Sequence, residues 1–273
     1  MQFQVGSTLI YTAAAPTTVI LNVEAQRIGS QLILAEDLVV DPAHESESYE
    51  TSETSNRYRR LVLTEGRHEI RYTATVETTP VLDLVANVDE VPISKLPLEV
   101  MNHLFPSRYC ESDLMARFAW REFGSLQSGH ARVDAICDWI HSHVDYVPGS
   151  SDGSTSAADT FQTRAGVCRD FAHMGITFCR ALGIPARFVS AYGWLLEPQD
   201  FHAVFEAFLG DRWYLFDATR LVPPDGIIRI GVGRDAADTA FFGSMESEPK
   251  SVWVEAADQQ QQTARSAVSL STM

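Results

Sequence analysis

The sequence predicts an α+β protein of two domains, and three observations carry that expectation. Strand-like segments fill the first part of the chain, helical periodicity begins only after Pro106, and strands return beyond Pro185. Helices gathered ahead of a run of strands suit a layered α+β fold rather than an alternating one. At 273 residues the chain has room for one large domain or two modest ones. Its hydrophobic content of 45% is enough to fill a core.

The N-terminus, MQFQVGSTLIYTAAAPTTV, alternates apolar and polar residues as a strand does, and no basic stretch precedes its apolar patch. It reads as structure rather than as a secretory signal, so a cytoplasmic protein is expected. VILNVEA, QLILAEDLVV, YRRLVLT and HEIRYTATVET follow as strands, with the acidic run DPAHESESYETSETSN as a loop between them. TTPVLDLVANVDEVPISKLP loses periodicity and contains three prolines, which places a linker near residues 78–97. HARVDAICDWIHSHV then sets Val133, Ile136, Cys137, Ile140 and Val144 at helical spacing. A second helix runs from Cys168 to Leu182, with Phe171, Ala172, Gly175, Phe178 and Cys179 on its stripe, and Gly183 and Pro185 end it. ARFVSAYGW, HAVFEAFL, RWYLFDAT, IIRIGVG and SVWVEAA are the returning strands. The expected division is a β sandwich-like domain over 1–90, a second domain over 98–257, and a polar, disordered tail over 258–273.

Thirty-six acidic against 21 basic side chains give a net charge of −15, which argues against a nucleic-acid partner or an anionic membrane surface. No apolar run approaches the roughly 20 residues of a membrane helix. The four cysteines, Cys110, Cys137, Cys168 and Cys179, show no CxxC pairing and are too few for a disulfide framework. Cys137 and Cys179 fall on apolar helical stripes and are expected in the core; Cys110 receives no role. His141 and His143 near a helix end, and Cys168 with His173, lack the further ligands that would complete a metal site. No GxGxxG or GxxxxGK pattern occurs, and no cofactor is expected.

Cys168, in TRAGVCRDFAH, opens its helix. A thiol there meets the positive end of the helix dipole and free N–H groups, both of which favour the nucleophilic thiolate. Its backbone N–H is also placed to stabilise an oxyanion. The plain alternative is a buried structural cysteine. Asp170 would point about 200° away and His173 about 140° away on the same helix, so neither shares the thiol's face. Asp170 is better explained by the helix dipole and His173 as a hydrogen-bonded structural histidine. The base must come from another element, and DFHAVFEAFLGDRWYLFDATR offers it as a hairpin turning at Gly210-Asp211. If Leu209 faces Arg212, Asp217 falls opposite Val204, on the face of His202 and diagonal to it. Phe208, Trp213 and Leu215 share that face and would shield the pair. A one-residue slip would separate His202 from Asp217, so the register is decisive.

These segments resemble the transglutaminase-like superfamily, and within it the bacterial transglutaminase-like candidate cysteine proteases that carry an N-terminal β domain. GVCRDFAH around Cys168, LGIPARFVSAYG, DFHAVFEAFL around His202 and WYLFDATR around Asp217 carry the resemblance. So do SRYCESD, DWIHSHVDYVPGS and the VGRDAAD run with Arg234, Asp235 and Asp238. It implies a papain-like catalytic domain over 98–257, with Cys168 as nucleophile, His202 as base and Asp217 as orienting carboxylate. It also implies a peptide or protein substrate and a thioester intermediate. Water as the second acceptor gives a hydrolase, the favoured reading because water needs no dedicated site; an amine gives a transglutaminase. A non-catalytic binding module is the competing class, and an acetyltransferase with the same triad order a third. Tyr146 and Trp194 are candidates for a second oxyanion donor or the site rim, although each reads more readily as a packed aromatic. Trp194, Phe201 and Trp213 could form an apolar tunnel for an amine. Arg169 and Arg220 could bind a carboxylate or simply form surface pairs.

Overall fold

The computed structural model describes residues 1–83, 88–239, 242–243, 248–256 and 267–271. The N-terminal strands are β1 (Gln2–Ala13), β2 (Thr17–Leu21), β3 (Gln31–Asp41), β4 (Ser46–Glu50), β5 (Arg57–Leu63), β6 (Gly66–Thr78) and β7 (Val81–Asp83). Strict alternation drives the long ones: β6 buries every second residue from His68 to Thr78, turning Ile70, Tyr72 and Val76 inward. Phe3, Val5, Leu9 and Tyr11 do the same from β1, Val19 and Leu21 from β2, and Leu61 and Leu63 from β5. Two sheets close on this core as a sandwich.

The second half contains α1 (Ser112–Phe123), α2 (His130–His143), β8 (Asp145–Tyr146), α3 (Ala157–Thr163), β9 (Ala165–Gly166), α4 (Cys168–Ala181), β10 (Ala186–Gly193), β11 (Phe201–Leu209), β12 (Arg212–Phe216) and β13 (Ile227–Gly233). Three more strands follow: β14 (Phe242–Gly243), β15 (Glu248–Ala256) and β16 (Ala267–Ser271). The main sheet runs β13-β10-β11-β12-β16-β7. α4 lies at the centre, its Phe171, Met174, Phe178 and Cys179 packed with Phe205, Ala207, Tyr214 and Phe216 of the sheet and with Ile136 and Ile140 of α2. Gly175 permits that approach, because a Cβ there would sit 2.4 Å from the Phe205 ring. None of the helices in the described residues is long and apolar enough to cross a membrane.

Three of the expected assignments need correction. SVWVEAA was placed with the second domain, yet β15 pairs antiparallel with β1, from Phe3↔Ala256 to Ile10↔Glu248, and β14 pairs with β2. The sandwich sheets run β15-β1-β6-β3 and β14-β2-β5-β4, so the C-terminal part of the chain supplies an outer strand to each. Val252 and Val254 enter the sandwich core, and alternation specified their burial without saying against which sheet. The tail expected to be disordered contains β16, which pairs with β12 and with β7. A short AVSLS alternation was hidden by its polar flanks; residues 258–266 and 272–273 lie outside the described residues. The expected linker likewise includes β7 and the 3-10 turns Ile93–Lys95 and Leu98–Leu104; its residues 84–87 lie outside the described residues.

The halves are joined through buried polar contacts. The Tyr192 hydroxyl donates to the Val23 carbonyl at 2.8 Å and lies 3.1 Å from the Ser7 hydroxyl. Asn56 accepts from the Val232 N–H and donates to the Val232 carbonyl, both at 2.8 Å. Ile228 and Ile230 of β13 pack into the sandwich core itself.

Candidate active site

α4 begins where the sequence places it, with Val167 extended as the N-terminal cap. The Asp170 carboxylate accepts from the Val167 N–H at 2.8 Å and the Ser151 hydroxyl at 2.5 Å, and is fully buried. That lock holds the turn that presents Cys168, so Asp170 acts on the helix start as expected but also ties it to the loop before α3. Gly166 is needed beside it, since a Cβ would fall 2.7 Å from the Asp170 Cβ. The parallel bridge Tyr146↔Gly166 brings Tyr146 alongside the same turn.

The hairpin adopts the expected register. Leu209 faces Arg212, Glu206 faces Leu215 and Phe205 faces Phe216, with Gly210 at φ +61° in the turn. Two residues N-terminal to Val204, His202 meets Asp217 at 2.9 Å between Nε2 and Oδ2. Asp217 is itself anchored: its Oδ1 accepts from the Thr219 N–H at 2.9 Å and the Thr219 hydroxyl at 2.6 Å. Burial opposes ionisation of Asp217, yet His202 and Thr219 hold its carboxyl below the usual range. Burial also opposes the imidazolium, but the charge and hydrogen bond of Asp217, with the Cys168 thiol as a further favourable neighbour, outweigh it and push His202 up to about 10. With Nε2 committed to Asp217, the buried Nδ1 is the ring nitrogen left to act with the thiol.

Cys168 is half-buried, while Cys110, Cys137 and Cys179 are buried. Burial pushes those three thiols up, Cys110 to about 12. Tyr146 is 41% exposed. Burial and the nearby Cys168 charge raise its phenol above the ordinary value. The Tyr146↔Gly166 bridge and this electrostatic influence place the phenol near the start of α4.

Other candidates lie elsewhere. Trp194 rests on Phe3 with ring centroids 5.8 Å apart and joins the sandwich core at the domain seam. Phe201 tilts against Tyr192 at 5.5 Å, and Trp213 packs with Phe208, Leu96 and Val100 in a separate cluster, so the three aromatics do not line one channel. The same cluster takes Phe208 and Trp213 away from shielding the His202–Asp217 pair; Leu215 joins Val204 and Val222 instead. Arg169 pairs with Asp170 at 3.0 Å, and Arg220 pairs with Asp138. His173 is buried, accepts from the Ala236 N–H at 3.2 Å and stacks on Tyr109 at 5.1 Å. Its burial, with Arg169 and Arg180 nearby, keeps it neutral. The VGRDAAD run is structural: buried Asp235 accepts from the Tyr109 N–H at 2.9 Å, and Arg234 pairs with Asp238 at 3.0 Å. Among the described residues no three His, Cys, Asp or Glu side chains cluster as a metal site. Thr219 was missed by sequence reasoning, although a hydroxyl two residues beyond an Asp is a recognisable local acceptor-donor pattern.

A half-buried thiol at a helix start and a sheet histidine held by a carboxylate are the parts from which a papain-like site is built. Residues 1–99 match the family model for the bacterial transglutaminase N-terminal domain, and residues 119–218 match that of the transglutaminase-like superfamily. The chain is 42% identical to a candidate cysteine protease from Cytophaga hutchinsonii, covering 99% of this chain and 98% of that one with a TM-score of 0.94. It therefore belongs to the transglutaminase-like superfamily. It is also 36% identical over 147 residues to the uncharacterised protein ML0607 of Mycobacterium leprae (strain TN), over 50% of this chain and 52% of that protein. The chain thus spans about half the length of that curated relative.

Proposed function

We propose that the protein is a thiol-dependent acyl hydrolase, a cysteine protease or amidase, that acts on peptide or protein substrates through Cys168, His202 and Asp217. The observation that supports it is His202, buried between Cys168 and Asp217 and favouring its protonated form at neutral pH. An imidazolium beside the sulfur stabilises a thiolate. The thiolate attacks the acyl carbon, and the oxyanion forms toward the Cys168 N–H and the Tyr146 hydroxyl. Collapse breaks the carbon–nitrogen bond while His202 gives its proton to the leaving amine, which leaves a thioester and a neutral imidazole. Water then attacks the thioester as His202 takes its proton, and breakage of the carbon–sulfur bond releases the acid and restores the ion pair. Amine transfer would need an acceptor to outcompete water at roughly 55 M, hence a dedicated acceptor channel. The scattered positions of Trp194, Phe201 and Trp213 favour hydrolysis.

The deciding measurement is product analysis with a glutamine peptide and a labelled primary amine, in wild type and Cys168→Ser. Free acid from wild type alone is the expected outcome. Mainly labelled peptide would make the protein a transglutaminase, and no product with Cys168 inert to acyl probes would make it a binding module.

A further inference from the structure

The sandwich sheet β14-β2-β5-β4 turns Val19, Leu21, Leu61 and Leu63 into the core, so the residues that alternate with them point outward. The register then sets two rows on the outer face. Ile20 of β2 lies opposite Arg60 of β5, and Arg60 opposite Glu47 of β4; in the next row Tyr58 of β5 lies opposite Tyr49 of β4. Residues two apart on a strand put these rows about 7 Å from each other, on the scale of one sugar ring. A groove of about 450 Å³ runs along them, lined by these five residues and Ser48.

Three kinds of chemistry meet in the groove. Tyr49 is 66% exposed and Ile20 46% exposed, so an aromatic ring and an aliphatic side chain both face water. Tyr58 is half-buried, and its hydroxyl donates to the Asp238 carbonyl at 2.9 Å, which fixes that ring. Arg60 donates to Glu47, so the pair is neutral as a unit, while both side chains stay exposed with donors and acceptors to spare. A charged cross-strand pair is also the ordinary protection of an edge strand such as β4. Protection does not call for an exposed tyrosine and isoleucine beside that pair.

Volume and charge restrict the occupant. The volume is that of a small-ligand site. Although the chain carries a net charge of −15, the groove holds one cation and one anion bonded to each other, so an ionic ligand attracted by one is repelled by the other. A neutral ligand with an apolar face and many hydroxyls fits both parts, its C–H face against the tyrosine ring and its hydroxyls toward the guanidinium and carboxylate. We propose that this groove binds a neutral oligosaccharide, with a sugar ring stacked on Tyr49 and its hydroxyls bonded by Arg60 and Glu47. The site belongs to the sandwich and is independent of the acyl chemistry at Cys168; it would tether the chain to a glycan.

The test is isothermal titration of the full chain with cellohexaose, chitohexaose and maltohexaose in separate runs. Saturable one-to-one binding of at least one of them is expected, with an affinity that does not change with ionic strength because the ligand carries no charge. Tyr49→Ala should lower that affinity at least about tenfold, and Tyr49→Phe should keep it within about threefold, since the ring and not the hydroxyl stacks. Thermal melts check the fold of both variants, which the exposure of Tyr49 should leave intact. No saturable binding of any of the three sugars up to about 10 mM, an affinity that falls with salt, or unchanged affinity in folded Tyr49→Ala would overturn the proposal. So would sedimentation showing a dimer that Tyr49→Ala dissociates, which would assign the face to a second copy of the chain.

Discussion

His202 carries opposing demands at the scale of single residues. Burial disfavours its charge, and the Asp217 carboxylate and the Cys168 thiol more than reverse that penalty. Asp217 can act so only because Thr219 occupies its other oxygen and fixes its orientation. Asp217→Asn keeps the shape but withdraws the charge, so we expect kcat to fall by about 10²–10⁴-fold with the fold intact; a turnover within a few-fold of wild type would remove Asp217 from the mechanism. The same pairing has a pH signature. The folded His202 value of about 10 lies above the ordinary 6.5, so its contribution to stability is complete below pH 6.5 and is lost as pH rises through about 10. The urea midpoint of wild type should therefore decline across that window more steeply than that of His202→Gln; parallel profiles would count against the ion pair. The His202–Asp217 pairing was legible because a Gly-Asp turn fixed the hairpin register. Tyr146 was legible only as a candidate, since its approach to Cys168 depends on a two-residue bridge too short to leave a period.

Between elements, the distance from nucleophile to base is set by how closely α4 lies on β11. Gly175 is the contact point, where a methyl group would meet the Phe205 ring at 2.4–2.8 Å. Gly175→Ala should cost about 1–3 kcal/mol by overpacking, even though alanine is the better helix former. It should also slow alkylation of Cys168 by iodoacetamide, because tilting the helix draws the sulfur away from His202. Equilibrium unfolding and peptide mapping after brief labelling read the two effects; a stabilised variant would mean that the helix has slack there. The helix stripe and the strands were readable from periodicity. Which sheet a strand joins was not, because alternation reports that a face is buried and says nothing of its partner. SVWVEAA and AVSLS show this most plainly, the first having crossed back to β1 and the second having extended the main sheet.

At the scale of the whole molecule the two halves share a core as well as a chain. β15 completes a sandwich sheet from beyond the helical segment, and Tyr192, Ile228 and Ile230 of the main sheet are buried among N-terminal residues. Asn56 satisfies both backbone groups of Val232 across the seam. A chain starting at residue 98 would expose those three side chains, strand β15 without β1, and leave buried polar groups without partners. Burying a single large apolar side chain is worth about 1.5–3 kcal/mol, and an orphaned buried group costs about 1–3 kcal/mol, against a typical domain stability of about 5–15 kcal/mol. The losses together rival the whole stability. We therefore expect residues 98–273 expressed alone to lack a cooperative thermal transition and to show Cys168 alkylated no faster than the other three thiols. Adding residues 1–97 as a separate chain should restore both properties, since the seam is built from contacts that need no covalent link. A fragment that melts cooperatively and labels selectively at Cys168 by itself would show that the catalytic half is an autonomous domain and that the shared core is dispensable.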